Sequence, residues 1–142
     1  MGATAISRAR VTTADRFTKA SPLPLIVGVV GLLGGVALGI VTAGTVVAQR
    51  VGEIELPFAQ LSTWPMSLVG YALTYLAVFG AFAWDRLAQR RGRLRDRNFW
   101  DKPGYAKALG GLCWAAAIVG LWHIWNCAYA VAVAVEQSGV GV

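Results

Sequence analysis

LPLIVGVVGLLGGVALGIVTAGTVVA, residues 23–48, is the stretch on which the fold turns. It carries no charge, and it holds Gly28, Gly31, Gly34, Gly35, Gly39 and Gly44. In water so much glycine makes a poor helix, because each one costs about 1 kcal/mol relative to alanine. In a bilayer the backbone has no solvent to hydrogen-bond with, so helix is nearly forced. Gly31, Gly35 and Gly39 recur every four residues, with Ala43 as the next step. On a helix they stack into one smooth strip. Small residues in lipid let two backbones approach closely, so the strip is expected to pack another helix in the manner of a glycine zipper.

The rest of the 142-residue chain agrees with a membrane reading. It is 56% hydrophobic and 14% charged, and the apolar residues come in three long blocks with the charges between them. Such a pattern excludes an ordinary soluble domain and leaves no room for a separate one. The expected fold is all-α, with transmembrane helices at 23–48, 66–84 and 108–135.

Charge sets the expected orientation. Arg8, Arg10, Arg16 and Lys19 stand against Asp15 in the first segment, and residues 49–65 hold Arg50 against Glu53 and Glu55. The connection 85–107 is strongly basic, and only Glu136 follows the third block. High, low, high, low is the alternation of a chain with its N-terminus and second connection inside and its C-terminus outside. The basic pI of about 9.9 needs no nucleic acid to explain it.

Residues 1–21 admit three readings. Ile6, Ala9, Thr13 and Phe17 share a helical face, which suits a surface helix. The Arg- and Ser-rich, acid-poor composition also suits a mitochondrial targeting segment, and a loose basic tail remains open. Pro22 and Pro24 mark the start of the first span. In residues 51–65, Val51, Ile54, Leu56, Phe58 and Leu61 interleave with Glu53, Glu55 and Gln60, a segment expected to lie along the outer interface. Trp64 and Trp84 bracket the second span as interfacial anchors about 30 Å apart. Within it Gly70, Thr74, Ala77 and Ala81 form a small face, a candidate partner for the glycine strip. Glycine-rich spans bury little on their own, so helices of other membrane subunits are expected on the strip as well.

Two features bear on chemistry. Arg90, Arg91, Arg93, Arg95 and Arg97, with Trp100 beside them, form a cluster suited to an anionic phospholipid headgroup such as cardiolipin. His123 is the single histidine, within GLWHIWNCAY at 120–129. An ionisable residue in a span raises a functional site, here an axial haem ligand or a quinone or proton contact. Its depth, near the outer interface, favours hydrogen bonding by an amphipathic side chain. A haem usually needs a second axial ligand, and the chain has one histidine, with Met66 the only conceivable intrachain alternative. Cys113 and Cys127 are about 21 Å apart along a helix, too far for a mutual disulfide.

No catalytic set and no metal-ligand spacing is visible. The sequence therefore points first to a non-catalytic accessory subunit of a larger membrane complex, in a respiratory or other energy-transducing chain. The setting would be a bacterial or a mitochondrial inner membrane, and no cofactor is expected. The alternatives are a haem- or quinone-associated anchor using His123, and a small lipid-binding or pore-forming protein. The three-span layout is common among respiratory-chain accessory and anchor subunits, and no motif here singles one out.

Overall fold

The computed structural model describes residues 20–95 and 99–139. The first nineteen residues, with their three readings, and Arg97 of the arginine cluster lie outside these. Among the described residues three helices are long and apolar enough to cross a membrane. The first is α1 (Leu23–Ala43). The second runs unbroken from Leu61 to Arg95: a 3₁₀ turn (Leu61–Thr63), α2 (Trp64–Tyr71), a π-helical segment (Ala72–Ala77) and α3 (Val78–Arg95). The third is α4 (Pro103–Gln137). At 1.5 Å per residue α1 is about 31 Å long and the other two about 52 Å. Only α1 matches the ~30 Å of a hydrocarbon core.

Two expectations are corrected here. The chain is not all-α, and the uncharged run 23–48 is not one helix. Helix α1 stops at Ala43, and β1 (Val46–Val51) and β2 (Ile54–Ala59) form an antiparallel hairpin with Val46 opposite Ala59 and Val51 opposite Ile54. The residues explain the switch. Past Gly44 come Thr45, Val46 and Val47, β-branched side chains that prefer the pleated backbone. The hairpin turns on Gly52 and Glu53. Gly52 has φ +65° whereas Glu53 keeps a negative φ, the combination of a II′-type turn with glycine at its first central position. The Gln60 amide donates to Thr45 O at 3.2 Å and closes the base. Most of residues 46–59 thus form a strand pair, and Leu61–Thr63 and Trp64 already belong to the second long helix. At the other end α3 runs on to Arg95 and α4 begins at Pro103, so the basic connection shortens to a few residues.

The helices pack small face to small face. A Cβ on Gly31 would stand 2.9 Å from both Ala77 Cβ and the Leu73 carbonyl. A Cβ on Gly35 would overlap Thr74. Those two positions of the strip therefore meet the second helix of the same chain, and the face expected to receive a foreign helix is filled from within. The strip does not continue in that role. Gly39 faces Trp122 and His123 of α4, and Ala43 is exposed.

The π-helical segment lies where α1 approaches. The Thr74 hydroxyl donates back to Gly70 O at 2.9 Å, which spares it a solvent partner. Tyr75 points the other way, its hydroxyl donating to Ala117 O at 3.2 Å and its ring lying over Gly120 of α4. A π turn changes the angular spacing of side chains, and here Thr74 and Tyr75 serve different neighbours.

Burial is inverted relative to a water-soluble bundle. Thr42, Ser67, Thr74, Asp85, His123 and Asn126 are buried, while Ile26, Val30, Leu33, Ile40 and Leu76 are exposed. Lipid tails are as apolar as leucine, so the interior is where small and polar side chains belong.

Candidate functional site: a polar clasp on α4

The WHIWN segment of α4 touches α1, α2 and β2 at the hairpin end. Residues 122, 123, 125, 126 and 129 span about two turns of helix, so they fan out toward different neighbours. The Trp122 indole donates to Thr42 Oγ1 at 2.9 Å, tying α4 to the last turn of α1. The Thr42 hydroxyl in turn lies 3.0 Å from Leu38 O and 3.1 Å from Gly39 O. One hydroxyl thus accepts from α4 and donates within α1.

His123 reaches deeper. It is 0% exposed, inside the bundle rather than at its edge. Its Nε2 lies 3.0 Å from Gly35 O. A carbonyl only accepts, so the proton sits on Nε2. The ring occupies the slot left by Gly70: a Cβ there would overlap Cε1 and Nε2 and stand 2.7 Å from Nδ1. Nδ1 is buried and has no hydrogen-bond partner among the described residues. His123 therefore bridges α1 and α4 while filling the gap between α4 and α2.

Trp125, Asn126 and Tyr129 hold the hairpin. The Trp125 indole donates to Pro57 O at 3.0 Å. The Ala59 amide donates to Asn126 Oδ1 at 2.7 Å, and Asn126 Nδ2 donates to Trp122 O at 2.8 Å. Phe58 lies between Trp125 and Tyr129, with ring centroids 5.2 and 4.1 Å away and both pairs stacked. An isolated two-stranded hairpin is marginal in water. Here its base is buried at Phe58 and Ala59, while its tip stands free, with Val51 51% and Ile54 63% exposed.

The other end of the molecule is built differently. Arg90, Arg91, Arg93 and Arg95 occupy the last turns of α3 and are all exposed. Arg91 and Arg95 share one face by their i, i+4 spacing, and Arg90 and Arg93 another. Arg93 forms an ion pair with Asp101. Phe99 folds back against Gly92 and Trp100 is exposed. Asp85, a border charge by its place in the sequence, is 2% exposed and accepts from Gln89 Nε2 at 2.7 Å. Both cysteines are free. Among the described residues no group of three or more His, Cys, Asp or Glu is placed to hold a metal ion.

Comparison of the chain with known protein families, with curated proteins and with solved structures finds no match.

Proposed function

We propose that this chain is an integral membrane protein that acts as a non-catalytic accessory subunit, presenting the Val46–Ala59 hairpin to a partner in a larger membrane complex. The N-terminus and the arginine end of the bundle face the inner side, and the hairpin and C-terminus face the outer side, as the charge alternation favours. A bacterial or mitochondrial inner membrane would accommodate this, with an energy-transducing complex as the setting.

The observation that carries the reading is the anchoring of the hairpin. Trp125 and Asn126 hold its base by hydrogen bonds while Val51 and Ile54 stay exposed at its tip. Buried polar groups are costly unless they are paired. A chain that commits an asparagine and a tryptophan to fixing a hairpin outside the bundle gains a shape that matters to something else. The same geometry favours His123 as a packing and bridging residue over an axial ligand. Its Nε2 is engaged with a backbone carbonyl and its ring is enclosed by helix backbone.

A photo-crosslinking residue in place of Ile54, introduced in native membranes, tests the presentation. One discrete heavier adduct, absent when the same residue replaces Leu94 at the far end, is the expected result. Lipid adducts alone, with the protein a monomer in mild detergent, would refute it. Cysteine labelling at Ser7 and Asn98 tests the orientation, because both should resist an outside-only reagent. A Soret band in the purified protein that vanishes in His123→Ala would replace this reading with a haem-bearing anchor.

A further inference from the structure

The arginine end contains a built groove between α3 and α4. A polar cleft of about 260 Å³ is lined by Arg86, Gln89 and Arg93 on α3 and by Asp101, Pro103, Ala106 and Lys107 around the start of α4. An apolar hollow of about 340 Å³ is lined by Phe79 and Phe82 on α3 and by Gly110, Cys113, Trp114 and Ala117 on α4. Positions 79, 82, 86, 89 and 93 alternate steps of three and four, as do 103, 106, 110, 113 and 117. Each set therefore lies on one face of its helix. The two hollows thus follow one another along the same α3–α4 seam, the polar one at the helix ends and the apolar one toward the middle of the bundle.

Length and charge fit one kind of occupant. From Gly110 to Ala117 is about 10 Å of helix, within the half of a ~30 Å hydrocarbon core that one leaflet supplies, so the apolar compartment has the length to hold part of one acyl chain. Arg86, Arg93 and Lys107 against Asp101 leave the cleft with two net positive charges. Arg86 lies 5.1 Å over the Phe82 ring, at the junction of the compartments. Neither Arg86 nor Lys107 has an ion-pair partner among the described residues. The first turn of α4, which lines the cleft, has no side-chain cap and no acidic residue, so nothing on it offsets the positive end of the helix dipole. Asp101 uses Oδ2 for Arg93, while its Oδ1 is buried without a partner among the described residues.

We infer that the α3–α4 groove binds one anionic glycerophospholipid, its phosphate between Arg86, Lys107 and the start of α4, a headgroup hydroxyl on Asp101, and an acyl chain along Phe82, Gly110 and Trp114. The inference rests on the membrane-embedded reading of the chain. It differs from a general arginine patch in naming two cations that a compact cluster at 90–97 does not contain, and in requiring the apolar compartment.

Native mass spectrometry of the full chain released from nanodiscs tests it. The nanodiscs contain phosphatidylglycerol, a lipid with glycerol hydroxyls, or phosphatidylcholine. The wild type should retain one phosphatidylglycerol in preference to phosphatidylcholine. Arg86→Gln with Lys107→Gln should weaken retention about 30-fold, the effect of two surface charges. Arg91→Gln with Arg95→Gln removes the same charge from outside the groove and should weaken it several-fold less. Gly110→Leu should lose lipid with every charge intact. A Cβ at Gly110 meets nothing within 4 Å, so the variant is expected to fold, as circular dichroism would report. Equal loss in the two charge pairs, no preference between lipids, or unchanged retention in Gly110→Leu would overturn the site. Displacement of the lipid by millimolar inorganic phosphate would assign the cleft to a free anion instead. Resistance to alkaline-carbonate extraction reports membrane insertion separately, so a failed groove and a failed membrane reading are distinguishable.

Discussion

The two ends of this bundle solve different problems with similar helices. At the hairpin end, neutral donors and acceptors meet across elements: Trp122 on Thr42, His123 on Gly35 O, Asn126 on the Ala59 amide. At the arginine end, the arginines splay outward while Asp85 turns in to Gln89, and the single ion pair among the described residues joins exposed Arg93 to Asp101. Neutral hydrogen bonds survive burial at little desolvation cost, whereas buried charges do not. A closed, neutral half therefore suits the fixing of shape, and an open, charged half suits contact with headgroups or solvent. If that contrast is right, substitutions of similar size should cost much more at the first end than at the second.

The largest effect is expected at Gly70, where His123 sits against the backbone. Gly70→Leu should destabilise the protein by about 3 kcal/mol or more, since the ring has nowhere to retreat. Denaturation in mild detergent, followed by circular dichroism, measures it. Next comes Gly35→Leu, expected to cost about 2–3 kcal/mol by pushing Thr74 away. Gly44→Leu should cost far less, because the nearest atoms to a Cβ there are carbonyls of its own helix, at 3.4 and 3.7 Å. Equal behaviour of these two variants would remove the case for close packing of the strip. Asn126→Ala leaves the Ala59 amide without its buried partner and should cost about 1–3 kcal/mol. Smallest is Arg93→Gln, which breaks an exposed ion pair worth about 0–1 kcal/mol. A larger loss there than at Asn126 would invert the comparison.

What the sequence makes legible follows from the range of the forces involved. The three long apolar helices are local, written in uncharged runs, and α1, Leu61–Arg95 and α4 each contain the core of one run. The small face at Gly70, Thr74, Ala77 and Ala81 is also local, and Gly31 and Gly35 meet it. The hairpin is half visible. Ile54, Leu56 and Phe58 alternate with Glu53 and Glu55 at the period of a strand, and Gly52 supplies the turn. Pro57 argues against a strand, and Val46–Ala48 merge into the apolar run before them. The burial of His123 is not local. It depends on a missing side chain at Gly70 and a free carbonyl at Gly35, each on a different helix. Asp85 hides for a related reason: beside Arg86 it reads as a border charge, yet one residue is 100° of helix, enough to turn it inward to Gln89.

The claim at the centre of this account is that α4 holds the hairpin rigidly through Asn126 and its aromatic neighbours. Hydrogen exchange of residues 46–59, in lipid nanodiscs, tests it most directly. The account predicts slow exchange at the Ala59 amide and at the base of the ladder, with faster exchange around Gly52. It further predicts that Asn126→Ala speeds exchange through the hairpin while leaving α3 near Arg91 unchanged. Fast, uniform exchange of the hairpin in the wild type, or a hairpin indifferent to Asn126→Ala, would contradict it.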